Sequence, residues 1–582
     1  MVYNKKANFR EIGAKYGIDQ VTARIIRNRD IVEEEDIRLF LQGGLQDLYD
    51  PHQLKDVERL TDILRDKINS HAPIRIIGDY DIDGVMASYI LKKALQRCGV
   101  DASVVIPDRI LDGYGLNENL VRAAKTDGID TILTCDNGIA ALQEIALAKE
   151  LGMTVLVTDH HEIPFEDTPD GRKEKQSMAD AVVNPHQSLC AYPNKDLCGA
   201  AVAWKVVCVL YGKMQIPQEE ALEFLENVAF ATVGDIMSLR GENRILVKEG
   251  LRRIHATQNL GLRALILQCG LQPAQIRAYH FGFVLGPCIN ASGRLETAEK
   301  SLQLLLTESE SEAATLAAEL VNLNQERKLL TTQGVELARK TYEEQGYEHD
   351  SVIVLYLPQI HESIAGIVAG RIRELYYKPT FILTDGAEGV KGSGRSIEEY
   401  SMYERLCECQ EYLDKFGGHP MAAGLSLKRE NVDAFRQKIN ALSPLTAEEL
   451  VQKIYIDVPM PVDYVTPELV RELEVLEPYG KENERPVFAD RNVHILSMKP
   501  IGREQNFLRF RMRSAGGCEF AAVYFGNKDS FLDFLRQKYS EGAVADALAG
   551  RRCDFELSVI YKPEIDDFRG GEELKFEIRN YC

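Results

Sequence analysis

Three aspartates, Asp79, Asp81 and Asp83, fall within five positions of the stretch "IRIIGDYDIDGVMASYIL", directly after an apolar run. Nothing positive lies between them, so their charges repel unless a cation is shared. Further on come "CDNG" with Asp136, "TDHHE" with Asp159, His160 and His161, and "ENVAFATVGDIMSL" with Asp235. Carboxylates and imidazoles without thiolates suit hard or borderline divalent ions: Mg²⁺ and Mn²⁺ prefer oxygen, and Mn²⁺ also tolerates histidine. Zinc suits the set less well, because of the twelve cysteines only Cys135 falls inside these motifs, and it is expected to point back into its strand. Asp79, Asp81, Asp83, Asp136, His160, His161 and Asp235 exceed what one ion needs. Two ions about 4 Å apart, sharing a carboxylate, would use them to activate water and neutralise a phosphoryl group during in-line attack. An acidic turn after a strand is also the signature of a helix N-cap, and a His-His pair is a common surface feature. Their joint placement at successive strand ends favours the metal.

That placement follows from the elements around them. "IRIIG", "ASVVIP", "DTILTC" and "MTVLVT" read as short buried strands, and "VMASYILKKALQRCG", "NENLVRAAKTDG" and "LQEIALAKELG" read as helices between them. Such alternation means βαβ units and a parallel sheet. Ligands of open parallel sheets bind beyond the carboxyl ends of the strands, which is where the aspartates and histidines come off. A proline-free segment follows between about 300 and 345, with Leu316, Leu323, Leu330 and Leu337 every seven residues. Arg327 and Gly334 interrupt the repeat, which favours a connecting helix packed on its own domains over a coiled-coil seam. A second α/β domain begins at "SVIVLYLP", and a strand-rich segment from about residue 454 suggests a small barrel or sandwich. The expected divisions are a helical segment 1–70, a metal-binding domain 71–240, a helical region 241–345, a second α/β domain 346–448 and a barrel 452–582.

The 582 residues, 45% apolar and 27% charged, have the balance of a water-exposed globular protein. The longest apolar stretch, "AAVAWKVVCVL", is short for a membrane span and contains Lys205. The N-terminus lacks the apolar segment of a secretory signal, and scattered cysteines suggest reduced thiols in a cytoplasmic protein. A net charge of −20 argues against nucleic acid on the whole surface but not on a local patch. "NFLRFRMR" holds such a patch: as a strand it sets Arg509, Arg511 and Arg513 on one face and Leu508, Phe510 and Met512 on the other.

In order along the chain, "DYDIDG", "CDNG", "TDHHE" and "ATVGDIMSL" resemble the successive motifs of the DHH phosphoesterase superfamily, named for the residues that are here Asp159, His160 and His161. "GPCINASGRL", "HESIAGIVAGRI", "GSGRS" and "GGHPMAAG" are similar to motifs of its RecJ branch and of the DHHA1 domain, and "LEPYGKENERPVF" resembles the start of the RecJ oligonucleotide-binding barrel. The ordered set carries the resemblance, from about residue 20 to the C-terminus. It implies an α/β chain: a parallel-sheet DHH catalytic domain, a long connecting helix, a second α/β DHHA1 domain and a C-terminal OB-like β-barrel. It also implies a single-strand-specific DNA exonuclease of repair and recombination that works from the 5′ end and releases 5′-mononucleotides using two Mn²⁺ or Mg²⁺ ions.

Carried onto this chain, the resemblance makes Asp81, Asp83, Asp136, His160 and Asp235 metal ligands, with Asp136 bridging. Asp79 and His161 follow as ligands or as contacts just outside them, and Asp159 as the carboxylate that orients a histidine. Asp136, Asp159 and His161 form the expected catalytic set. Arg109 and Arg294 would hold a terminal 5′ phosphate, and Asn290 would contact the substrate. Ser393, Arg395, Gly418, His419 and His361 would line the strand's path, and Arg509 and Arg511 would track it along the barrel. Single-stranded DNA is the implied substrate, with single-stranded-DNA-binding protein and a RecQ-type helicase as implied partners. Cys288 stands where the branch commonly has arginine, and Ile360 and Ser363 also depart from the common pattern. The competing readings are a DHH phosphodiesterase for short oligonucleotides or cyclic dinucleotides, which usually lacks the barrel, a manganese pyrophosphatase, which would not need this length, and an inactive DNA-binding replication factor, which would have lost metal ligands.

Overall fold

The computed structural model describes residues 1–109, 112–168, 171–386, 389–566 and 573–582. These form two compact units, one of residues 48–237 and 245–452, the other of 1–47, 238–244 and 453–582.

In the first unit, β1 (Ile74–Ile77), β2 (Ser103–Val105), β3 (Thr131–Cys135), β4 (Thr154–Thr158) and β5 (Ala181–Val183) form an all-parallel sheet in the order β2-β1-β3-β4-β5. Ile76, Ile77, Ile132, Leu133, Val155 and Leu156 are buried, as expected of parallel strands covered on both faces. Three helices bear on the site: α1 (Ile82–Arg97), α2 (Gly199–Lys213) and α3 (Leu225–Gly234). Lys205, inside the apolar run of α2, donates from Nζ to the Tyr49 carbonyl at 2.8 Å. No helix among the described residues is long and apolar enough to cross a membrane.

Beyond them lie α4 (Leu260–Gln268), α5 (Gly286–Leu295) and the 35-residue α6 (Glu310–Glu344). At 1.5 Å rise per residue α6 spans about 52 Å. Its Leu316, Leu320 and Leu323 are buried, while Ala338 and Tyr342 enter the core of the second α/β domain, so it connects the two domains by packing into its own unit. The second sheet is mixed: β6 (Ile353–Tyr356), β7 (Thr380–Gly386), β8 (Gly389–Arg395), β9 (Lys415–His419) and β10 (Ala422–Leu427), ordered β9-β10-β8-β7-β6, with α7 (Glu362–Tyr376) against β7 and β8.

The other unit is the barrel. The strands β11 (Val458–Pro459), β12 (Phe488–Ile501), β13 (Phe507–Arg513), β14 (Glu519–Tyr524), β15 (Phe555–Asp566) and β16 (Glu573–Tyr581) run in the order β11-β12-β13-β14-β16-β15, and pairing of β12 with β15 closes it. Helices Phe9–Tyr16, Gln20–Asn28 and Glu34–Gln42 belong here: Ile25, Ile26 and Phe40 share one core with Phe488, Ile495 and Phe510. The N-terminal segment read as residues 1–70 therefore divides, and helix Val57–Asn69 lies in the first unit. An apolar helix face is visible in sequence, but its distant partner is not. Arg244 ties the pieces of the barrel unit together. Its guanidinium donates to the carbonyls of Phe40, Val475, Leu476 and Glu477 at 2.7–2.9 Å and lies 3.8 Å from the Phe40 ring centroid.

Candidate active site

The site is built at the carboxyl ends of β1, β3 and β4. Asp81 caps α1, its Oδ1 accepting from the amides of Asp83 (3.0 Å) and Gly84 (3.2 Å). Asp83, in the first turn of α1, accepts the first two amides of α2, from Gly199 (2.6 Å) and Ala200 (2.7 Å). Only glycine serves at 199, since a Cβ there would lie 2.6 Å from the Asp136 Cβ. The helix-cap reading and the ligand reading thus hold together: the caps orient carboxylates that still have lone pairs facing the cleft. Asp136 follows β3 with φ of +60°, and Ile236, directly after Asp235, has φ of +57°. Left-handed backbone at a non-glycine residue costs about 1–3 kcal/mol and gathers at functional sites. The turn at Asp136 is held by Asn137, whose Nδ2 donates to the carbonyls of Ile77 (3.0 Å) and Cys135 (2.9 Å). Cys135 is fully buried beside Ser88, away from the cleft.

Three sets of donors converge: Asp79 with Asp81 and Asp136, Asp83 with His160 and Asp235, and Asp136 with both histidines, each set within 4.8 Å. All seven expected ligands are therefore in one place, and Asp136 is common to two sets. His160 Nε2 lies 3.1 Å from Asp136 Oδ1, 3.5 Å from Asp83 and 3.8 Å from Asp235. Asp159 stands behind them, accepting from His161 Nδ1 (2.8 Å) and from the amides of Ile139 (2.9 Å) and His160 (2.7 Å). Tyr114, not singled out from the sequence, donates to the Asp136 carbonyl at 3.0 Å and sits 3.1–3.2 Å from the His161 ring nitrogens.

The electrostatics call for cations. Asp79 Oδ1 and Asp136 Oδ1 are buried without a hydrogen-bond partner among the described residues, and an unsatisfied buried acceptor costs about 1–3 kcal/mol or more. Burial, then Asp81, pushes the Asp79 carboxyl well above the ordinary carboxylate range. Burial, then Asp83, does the same to Asp81 and Asp136. Burial also opposes the charge on Asp159, but the hydrogen bond and charge of His161 hold it below its usual value. Burial holds His160 low, whereas Asp159, Asp235 and Asp83 overcome burial at His161 and raise it to about 9. Hard divalent ions fit this donor set, with Asp79, Asp81 and Asp136 around one position and Asp83, His160 and Asp235 around the other.

A pH prediction follows. Protons held by Asp79, Asp81, Asp136 and His161 must leave for a cation to be ligated. Mn²⁺ affinity will therefore rise with pH, up to about pH 9 where His161 gives up its proton, by roughly tenfold per pH unit for each proton released. Titration calorimetry in buffers of different ionisation enthalpy reads both affinity and proton count. A flat profile with no proton release would remove these groups from the ligand set.

Across the same unit, arginines gather on a cavity of about 420 Å³ lined by Arg109, Gly293, Arg294, Thr297 and His361. Arg294 Nη1 donates to the Ser363 carbonyl at 2.9 Å. Burial, then Arg109, Arg327 and Arg395, depress its guanidinium to about 10, while the Asp81 charge works the other way. Burial and Arg109 likewise lower Arg395. Arg395 and Ser393 lie over α7 where Gly366 leaves room: a Cβ there would sit 2.9 Å from both side chains. Arg327, read from the sequence as a break in the leucine repeat, is thus a fourth cation of this group. His361 caps α7, with Nδ1 2.7 Å from Ser363 Oγ. Asn290, expected to contact the substrate, has its Oδ1 on the Ile82 amide (2.7 Å) and so braces the start of α1. Gly418 and His419 lie exposed on the edge strand β9.

On the barrel, Leu508, Phe510 and Met512 of β13 are buried and Arg509 and Arg511 are exposed, as their alternation predicts. Arg511 forms a fork with Glu519 (2.6 and 2.8 Å), and Arg513 reaches Asp554 at 3.4 Å. Arg509 lies opposite Lys499 across the strand pair, and neither has an ion-pair partner among the described residues. Both line a 550 Å³ groove on the barrel's face.

A parallel sheet that gathers aspartates and two adjacent histidines at its carboxyl edge, joined by a long helix to a second α/β domain, is the architecture of the DHH family. Residues 73–232 match the family description "DHH family, N-terminal domain", 349–443 match "DHHA1 domain" and 456–580 match "RecJ OB domain". The chain is 35% identical to the single-stranded-DNA-specific exonuclease RecJ of Bacillus subtilis (strain 168), over 97% of this chain and 68% of the relative. It is 30% identical to that of Salmonella typhimurium, over 92% of each. The crystal structure of RecJ in complex with Mn²⁺ from Thermus thermophilus superposes with a TM-score of 0.81 at 28% identity, covering 100% of this chain and 78% of that one. The chain belongs to the RecJ family.

Proposed function

We propose that this protein is a single-strand-specific 5′-to-3′ DNA exonuclease that hydrolyses phosphodiester bonds with two divalent ions, Mn²⁺ or Mg²⁺, and releases 5′-mononucleotides during repair and recombination. The observation that carries the reading is the proximity of two opposite charge clusters in one unit: Arg294 is close enough to the acidic site for the Asp81 charge to act on it, yet sits among three other guanidiniums. Arginine forks match phosphate oxygens, so this group anchors a terminal 5′ phosphate and presents a fixed phosphodiester to the carboxylates.

Asp79, Asp81 and Asp136 would hold one ion, and Asp83, His160 and Asp235 the other, with Asp136 shared. When bound, the ions supply Lewis-acid charge at the scissile phosphate and at the attacking water. Asp159 fixes the His161 ring by accepting from Nδ1. With His361 Nδ1 engaged by Ser363, its other ring nitrogen serves the substrate strand at the pocket. On the barrel, Arg509 and Lys499 supply the cationic track expected of a single-strand binding surface. We assign catalysis to residues 71–240 with 346–448, and strand holding to 452–582. Single-stranded-DNA-binding protein and a RecQ-type helicase are partners proposed from the family alone.

The test is cleavage of a single-stranded oligonucleotide labelled at either end, with Mn²⁺, Mg²⁺ or chelator, beside a duplex control. Metal-dependent release of mononucleotides from the 5′ end, sparing duplex, is the expected result. Hydrolysis confined to di- to pentanucleotides would move the chain to the short-oligonucleotide phosphodiesterases. No hydrolysis under any metal would leave a binding protein.

A further inference from the structure

Cys269 closes the C-terminal end of α4, and Cys288 sits in the first turn of α5. Their sulfur atoms are 4.0 Å apart, although nineteen residues separate them in the chain. Cys288 is buried, and Cys269 is half-buried and so reachable by a small oxidant. Neither belongs to the metal or arginine sites. Their surroundings make the two thiols unlike. The hydrogen bond shared with Cys288 outweighs burial and, with the charge of Lys328, lowers the Cys269 thiol, whereas that same bond and burial push Cys288 up. A reactive cysteine is one with a favoured thiolate and access, and a resolving cysteine is one held beside it.

The position of Cys288 links this pair to the substrate pocket. Asn324 of α6 donates from Nδ2 to the Cys288 sulfur at 3.2 Å, and its Oδ1 accepts twice from Arg327 at 2.9 and 3.1 Å. Arg327 is one of the guanidiniums around Arg294, and α5 itself carries Arg294 and Asn290. A disulfide needs sulfurs about 2.05 Å apart, so closing it brings the two sulfurs about 2 Å nearer by side-chain rotation and helix displacement together, and disturbs the contact of the Cys288 sulfur with Asn324.

We propose that Cys269 and Cys288 form a peroxide-responsive dithiol whose oxidation to a disulfide shifts α5 and loosens the arginine pocket's hold on a 5′-phosphorylated strand. The chemistry balances with hydrogen peroxide as oxidant. The Cys269 thiolate attacks one peroxide oxygen, the O–O bond breaks, and the departing hydroxide takes a proton to leave as water. Cys288 then attacks the resulting sulfenic sulfur. The S–O bond breaks, and hydroxide departs with the Cys288 proton as a second water. Two thiols lose two electrons and one peroxide gains them, and a thiol reductant reverses the change.

The inference rests on reading α5 as part of the 5′-phosphate pocket, so its test is kept apart from hydrolysis. The full chain, reduced or treated with hydrogen peroxide, is digested without reductant and analysed by mass. In parallel, its affinity for 5′-phosphorylated and 5′-hydroxyl oligonucleotides is read by anisotropy in chelator. The expected result is a Cys269–Cys288 peptide pair lighter by two hydrogens. It should come with an affinity for the phosphorylated strand about tenfold weaker, restored by dithiothreitol and unaffected by peroxide in Cys269→Ser. Unlinked Cys269 and Cys288 under conditions that oxidise the exposed Cys518 would overturn it. So would a linked form with unchanged affinity, or equal weakening in Cys269→Ser. A reduced enzyme that binds both strands alike would count against the proposed function, while the mass and the affinity of the oxidised form still decide this inference.

Discussion

Asp136→Ala will lower turnover of single-stranded DNA by at least about a thousandfold in Mn²⁺ while leaving strand affinity within about threefold. Asp136 shares one donor set with Asp79 and Asp81 and lies 3.1 Å from His160 of the set proposed for the other ion, so its loss removes a ligand of one position and the carboxylate proposed to be shared with the second. Metal charge at a phosphoryl centre is worth several kcal/mol, and each 1.36 kcal/mol is a factor of ten in rate. The cations proposed to hold the strand belong to other elements, which is why binding should survive. Asp136→Asn keeps the shape of a residue with φ of +60° and separates loss of charge from damage to the turn. In the metal-free protein, burial and Asp83 raise the Asp136 carboxyl above its ordinary value. A raised folded-state pKa contributes stability that is full below the unfolded carboxylate pKa and lost as pH rises through the folded one. That contribution declines as the pH is raised, so metal-free Asp136→Asn should gain in melting temperature on the metal-free wild type with rising pH, and should melt below it in Mn²⁺. Single-turnover cleavage, anisotropy and thermal melts with and without chelator check all three points. Joint loss of binding, cleavage and stability would make Asp136 a residue of the fold alone.

Much of this site was legible in sequence because parallel-sheet geometry converts strand order into proximity. Asp79 to Asp83, Asp136 and the pair at His160 and His161 follow three strands that are neighbours in the sheet, so their meeting needs no long-range guess. What escaped notice depends on packing between distant segments. Asp83 was expected from its motif as a ligand, but its place as the cap of a helix 116 residues away was not visible. Tyr114 lies in "GYGL", where nothing local shows that its hydroxyl reaches the Asp136 carbonyl. Arg327 looked like a defect in a heptad repeat, and only the fold brings its charge to Arg294. Alternation in "NFLRFRMR" placed three cations on one face, yet only the fold shows that Glu519 and Asp554 engage two of them. That the Asn290 Oδ1 holds the Ile82 amide was not visible either, because the need of the start of α1 for an acceptor shows only once the two helices are packed.

Arg294→Ala should erase the preference for a 5′-phosphorylated end that the proposed arginine pocket would confer. Arg294 is surrounded by Arg109, Arg327 and Arg395 and depressed to about 10 by burial and by those like charges, so it remains a cation at neutral pH in a group that a bound anion would relieve. A hydrogen bond to a charged partner contributes about 1.5–3 kcal/mol, equivalent to roughly a 10- to 150-fold change at 1.36 kcal/mol per decade. KM for a 5′-phosphorylated oligonucleotide should rise by that factor, while KM for the 5′-hydroxyl strand stays nearly constant and the two converge. Arg294→Lys retains the charge but not the fork that also reaches the Ser363 carbonyl, and should recover only part of the difference. Removing one of four mutually repelling guanidiniums relieves strain in the free protein, so the Ala variant should fold at least as well as the wild type. Equal losses on both strands would mean that Arg294 supports α5 and α7 instead of reading the phosphate. Selective loss on the phosphorylated strand, with direction of digestion relaxed toward internal or 3′ cuts, would make this arginine group the source of polarity. An end that is no longer held no longer presents one particular phosphodiester to the carboxylates.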